Sequence, residues 1–448
     1  MNEQNKLAVM PVRRLLYTMS GPLALSLLVQ SLYNIVDSIF VARLSEDALT
    51  ATSLAYAVQV LMIALSVGTA VGLNALLSQR IGAGLVEEAC RAATTGLWLT
   101  LISALVFAVG GIFSSTIAGW MTDDAVLRTL CAEYLTIVML GSWGLFLQTY
   151  AQRLLQAVGD TVLSMASLLI GAGVNIMLNP LLIFGWCGLP ALGIRGSALA
   201  TVIGQTLGAL AAIIFNRRCN PLIHVQLHGY HFVWQDVTAI YRVGLPTIMT
   251  QALGSVMTFA VNALLIVVSP TAVAFFGVYY KLQNFLMMPL NGLGQAAIPI
   301  VGYNFGSGNY ARIHATWRVL VPSGVGLALL GTALFLLLPD QLLLLFSADA
   351  EMLALGVPAL RIIAVTFVLA AVTTLCGYFA SGLGNGLVNM LGSALRQLIV
   401  LVPAMALLLR FTGLPAIWHA FWLAEGTAFA YSLLTLRQML HRLAEPKA

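Results

Sequence analysis

One carboxylate stands in the middle of the first long apolar run: Asp37, in VQSLYNIVDSIFVARL, residues 29–44. An ionisable side chain at mid-span costs at least ~2.5–3.5 kcal/mol even on insertion scales, and such groups mark ion pathways and proton relays. Ser26, Gln30, Tyr33 and Asp37 recur at spacings of four, three and four, which puts them on one helical face with Asn34 beside them. Leu28, Leu32, Ile35 and Ile39 occupy the other side. The polar stripe therefore belongs toward protein or a water-filled path.

A second polar set follows in GVNIMLNPLLIFG, where Asn175 and Asn179 lie one turn apart with Pro180 next, and Thr201 adds a hydroxyl in GSALATVIG. Proline lacks an N–H, so the carbonyl of Ile176 loses its helical donor and is left for another ligand. A carboxylate, two amides and a hydroxyl suit a proton or a hard cation. Hydrogen bonding between helices is an equally open role for the asparagines and the threonine taken alone. The second half does not repeat this set: Asp37 corresponds to Val261 and Gln30 to Gly254. It carries its own polar residues instead, Gln251, Lys281, Arg361, Arg396 and Glu425. Asn34, Gln251, Lys281 and Glu425 are candidates for a substrate path, and Lys281 and Glu425 are candidates for an ion pair.

The elements that must position these groups are helices. The 448 residues are 60% hydrophobic and 8% charged, against about 25% charged in a soluble domain. Apolar runs of the ~20 residues that span hydrocarbon recur along the chain, so the protein reads as an all-α polytopic membrane protein. Twelve spans are expected near 15–42, 49–77, 89–119, 125–154, 161–186, 194–216, 237–268, 271–300, 312–339, 347–379, 386–410 and 415–440. The net charge of +5 is dispersed among short loops, which argues against nucleic acid and for topology. Fourteen basic residues, among them Arg13, Arg14, Arg80, Arg91, Arg217 and Arg218, fall on the side of both termini, and four, Arg43, Arg128, Arg195 and Arg410, on the other. The positive-inside rule then puts both termini in the cytoplasm. No cleaved secretory signal is expected ahead of the first span.

The halves repeat. RIGAGLVEEACRA (80–92) returns as NFGSGNYARIHAT (304–316), MTDDAVLRTL as FSADAEMLAL, QAVGDTVLSM as SGLGNGLVNM, and Pro22 as Pro246, all offset by 224 or 225 residues. Two six-helix lobes follow, 1–216 and 236–448, joined by a linker at 217–235 and related by an axis along the membrane normal. His224, His228 and His231 in the linker lie in an alternating, extended-looking stretch, and no metal site is expected there. The five cysteines show no motif spacing and read as free thiols.

The chain lacks G-x-x-x-x-G-K, H-E-x-x-H and G-x-S-x-G, so neither a nucleotide-driven pump nor a membrane enzyme is expected. The first-helix stripe, the QRIGAG and YNFGSG loops, YKLQNF and LGNG, taken in order, resemble the multidrug and toxic compound extrusion (MATE) family over the whole chain. LYNIVDSIF and FWLAE resemble its bacterial MepA- and DinF-like branch. The resemblance implies a monomer in the bacterial inner membrane that exports cationic, amphipathic compounds against inward H+ or Na+, without a cofactor. It implies a cation site made of Asp37, Gln30, Tyr33, Asn175, Asn179 and Thr201, and a first helix that bends, for which Pro22 supplies a weak point; Pro180, which lacks an N–H, is a second conformational candidate. Asn179 stands where the family pattern has aspartate, which favours H+ over Na+. A lipid-linked oligosaccharide flippase of the same superfamily is the alternative reading.

Overall fold

The computed structural model describes residues 6–226, 230–346 and 348–444, with side chains through 441. Its regular structure is helical among the described residues. Among the described residues, nine helices are long and apolar enough to cross a membrane, and two bent pairs bring the number to eleven. Span one is Val12–Ala42, span two Glu46–Gly82, span three Val86–Ile112, span five Thr161–Phe184 and span six Ile194–Cys219. Spans seven, eight, nine and eleven are Trp234–Ile266, Pro270–Gly306, Tyr310–Leu337 and Leu387–Thr412. Span four is the pair Ala125–Leu140 and Trp143–Ala157, bent by 43°, and span ten the pair Ala350–Ala364 and Phe367–Gly382, bent by 51°. The twelfth expected segment, span twelve, is a 25-residue helix, Ala420–Ala444, about 37 Å long at the α-helical rise.

The sequence repeat is written into the turns. Ser45 caps span two through Ala48 N at 3.0 Å, and Ser269 caps span eight through Ala272 N at 3.3 Å. Asp124 and Asp349 cap the helices that open spans four and ten. Spans two and eight close alike: Leu85 N reaches Arg80 O, and Asn309 N reaches Asn304 O, both at 2.9 Å. The residues that make this closure possible are Gly84 and Gly308, at φ of 78° and 70°, a left-handed conformation that costs glycine nothing.

The chain forms two compact units, residues 25–244 and residues 1–24 with 245–448. Their boundaries fall inside spans one and seven, not at the linker expected from the repeat. Polar grips at the helix ends account for the difference. In the first unit, Asp236 at the start of span seven is fully enclosed and accepts from Arg80 at 2.5 Å and from Arg91 at 3.0 Å. A Cβ on Gly244 would lie 2.9 Å from Gly68 O, so span seven enters this unit backbone to backbone. In the second unit, Arg312 donates to the carbonyls of Leu7 and Met10 at 3.0 and 2.9 Å. A Cβ on Gly292 would meet Ala24 N at 2.7 Å. Each unit thus holds the leading end of a helix whose remainder belongs to the other.

Candidate functional site

Spans five and six approach closely enough to share side-chain hydrogen bonds because two glycines face each other. A Cβ on Gly204 would lie 2.7 Å from Gly171 O and 3.0 Å from Asn175 Cβ, so only glycine allows this approach. One turn away, Asn175 Nδ2 donates to Thr201 Oγ1 at 3.2 Å. Asn179 Nδ2 donates to Asn175 Oδ1 at 3.1 Å and to Asp37 Oδ1 at 2.8 Å. Ser197, one turn before Thr201, donates to the same Asp37 oxygen at 3.1 Å. Asp37 Oδ2 has no hydrogen-bond donor among the described residues.

The four neutral residues are all buried, Asn179 and Ser197 completely. The Tyr33 hydroxyl lies against Thr201 and near Asp37, and Tyr134 joins it there from span four. Gln59 Nε2 donates to the Tyr134 hydroxyl at 2.9 Å. The result is one carboxylate inside a ring of uncharged donors and acceptors. Asn179 Oδ1 is enclosed with no partner among the described residues, because its amide turns the N–H side toward Asp37.

Of the residues singled out from sequence, Asp37, Tyr33, Asn175, Asn179 and Thr201 come together. Gln30 and Asn34 are exposed, and Asn34 contributes its backbone carbonyl to Ser38 Oγ at 2.9 Å. Sequence patterns did not single out Ser197, Tyr134 or Gln59. The four-residue step from Ser197 to Thr201 was a usable signal, whereas Tyr134 and Gln59 sit in helices whose patterns show nothing unusual. Pro22 and Pro180 lie inside continuous helices.

The second unit corrects one expectation. Glu425 does not pair with Lys281, which is exposed, as is Gln251. Its partner is Arg396, with Nε 3.4 Å from Glu425 Oε1, and Arg396 Nη1 also donates to Thr374 Oγ1 at 3.1 Å. A buried carboxylate needs an opposite charge close by, and Arg396 supplies it from the neighbouring span. In the linker, His224 N donates to Cys90 Sγ at 3.3 Å in a non-helical stretch, and His228 lies outside the described residues.

The family profile described as MatE matches residues 22–181 and 246–406, once in each half of the chain. The chain belongs to the MatE family. Among this MatE protein's relatives, the multidrug export protein MepA of Staphylococcus haemolyticus (strain JCSC1435) is 24% identical over 433 residues, covering 96% of this chain and 94% of MepA. The probable multidrug resistance protein YoeA of Bacillus subtilis (strain 168) is 27% identical over 424 residues, covering 93% and 90%. A solved structure described as the outward-facing conformation of a multidrug resistance MATE family transporter of the MOP superfamily aligns with a TM-score of 0.91, at 23% identity over 99% of both chains. The MatE fold is therefore that of this chain.

Proposed function

We propose that this MatE protein is a secondary antiporter of the bacterial inner membrane, with both termini cytoplasmic, that exports cationic or amphipathic organic compounds in exchange for H+. The observation that carries the reading is the isolation of Asp37: a single carboxylate, with two donors on Oδ1 and no donor on Oδ2 among the described residues. The two donors hold the ionised form, whose charge favours an organic cation. A proton on Oδ2 cancels that charge without disturbing the bonds to Oδ1, and the cation loses its counter-charge. The names of the relatives, multidrug export and multidrug resistance proteins, support the substrate class.

Proton exchange fits this site better than Na+. A hard cation is held by several oxygens, preferably with more than one negative charge. Here Asn179 presents its N–H to the carboxylate, and both Asn175 and Asn179 spend a donor inside the group. Reconstitution into proteoliposomes tests the reading: a pH gradient should drive uptake of an organic-cation dye by the native protein, and Asp37→Asn should abolish it while keeping the melting temperature. Full pH-driven uptake by Asp37→Asn would overturn the assignment.

A further inference from the structure

Glu425 is a carboxylate that the exchange at Asp37 does not use. It lies in the second unit, 4% exposed, and its ion pair with Arg396 is one-armed: Nε approaches Oε1, while Nη1 is turned to Thr374. Glu425 Oε2 is enclosed and has no hydrogen-bond partner among the described residues. A purely structural ion pair would be expected to engage both oxygens, since an enclosed carboxylate oxygen left bare is costly.

The surroundings share this feature. Arg396 sits in a π-helical turn, Leu395–Ile399, that interrupts span eleven, and single π turns inside α-helices are frequent at functional sites. The Tyr279 hydroxyl of span eight is likewise enclosed and unpartnered among the described residues. Its ring meets Phe421, one turn before Glu425, edge-on at 5.6 Å, and the hydroxyl lies within electrostatic reach of Glu425 and Arg396. The other titratable groups nearby are Tyr280 beside Tyr279, Cys376 of span ten, whose Sγ is engaged with Ser432 O at 3.3 Å, and Tyr431 of span twelve near that thiol.

We propose that Glu425 is a second proton-binding site, separate from Asp37 and built into the unit formed by residues 1–24 and 245–448. The ionised carboxylate is held by Arg396 through Oε1. A proton from water adds to Oε2, the oxygen without a donor, and the neutral acid leaves Arg396 as an uncompensated cation inside the unit. No electrons move, and the proton returns to water when the pair re-forms. Glu425 thus gives the second unit its own change of charge.

Infrared difference spectroscopy on the full-length protein in lipid, titrated with acid, tests this independently of transport. In the Asp37→Asn protein, a protonated-carboxyl C=O band should grow as pH falls, and it should be missing from Asp37→Asn/Glu425→Gln. Arg396→Gln should move the midpoint of that band by about one pH unit or more. If the double variant does not accumulate, Glu425→Asp should still shift the band. A spectrum that is the same with and without Glu425, or a midpoint indifferent to Arg396, would overturn the proposal. Because Asp37 is absent throughout, failure of its assigned role leaves this result unaffected.

Discussion

Asn179 gives its amide hydrogen to Asp37 Oδ1 at 2.8 Å, so the residue that stands where the resemblance implies a second carboxylate acts as a donor to the first. Asn179→Asp would set two carboxylates in contact, which cannot both stay ionised without a cation between them. The expected outcome is a new Na+ dependence: a Na+ gradient drives dye uptake in the variant, and Na+ raises its melting temperature. Neither effect is expected of the native protein in the same vesicles.

Ser197 and Thr201 share a face of span six but touch different partners. Ser197 bonds the carboxylate itself, whereas Thr201 reaches it through Asn175 and Asn179. A hydrogen bond to a charged group contributes about 1.5–3 kcal/mol. Ser197→Ala should therefore displace the pH profile of transport, and Thr201→Val should displace it less. Initial uptake rates measured across a pH series decide the order.

Gly204→Ala tests the close approach of spans five and six. The added methyl would sit 2.7 Å from Gly171 O, and overpacking of this kind costs about 1–3 kcal/mol. A lower melting temperature in detergent is expected together with reduced transport, since moving the helices apart separates Asn175 from Thr201. Gly173→Ala is the control, because a Cβ there meets nothing within 4 Å. It should behave as the native protein.

Asp236→Asn removes the buried carboxylate that Arg80 and Arg91 grip at 2.5 and 3.0 Å, while the more exposed Glu88 lies farther from both, at 3.6 and 4.0 Å. Taking away one partner of a buried pair costs roughly 3–5 kcal/mol, and only the half-exposed Glu88 is left to the two arginines. Thermal unfolding in detergent should show a larger loss for Asp236→Asn than for Ser197→Ala, Thr201→Val or Gly204→Ala. Arg91→Gln should lose less than Asp236→Asn, because Arg80 retains Asp236 at 2.5 Å and donates to Glu88 O at 2.8 Å.

Much of this was legible in the residues. The repeat that pairs Gly84 with Gly308 is one whose turn is local and depends on residue type, and both glycines take the left-handed conformation; the caps Ser45 and Ser269 share the same offset but were not singled out. The stripe on span one put Asp37 and Tyr33 toward protein or a water-filled path; both meet protein partners, whereas Gln30 of the same stripe is exposed. Partners drawn from distant helices were harder to see. Tyr134 and Gln59 look like ordinary core residues until packing places them, and the choice of Arg396 over Lys281 for Glu425 depends on how spans eight, eleven and twelve pack. The unit boundaries were hidden for the same reason: a repeat shows where a motif recurs, but a grip such as Arg312 on Leu7 O crosses 305 residues of sequence.

That grip bears on how the protein is made. Residues 25–244 form an uninterrupted segment, so the first unit has all its parts once span seven has begun to leave the ribosome. The second unit is discontinuous, and residues 1–24, synthesised first, must wait for partners that are synthesised last. A polypeptide cut in the linker would strand each leading helix end on the wrong fragment. Two fragments divided there should accumulate together or not at all.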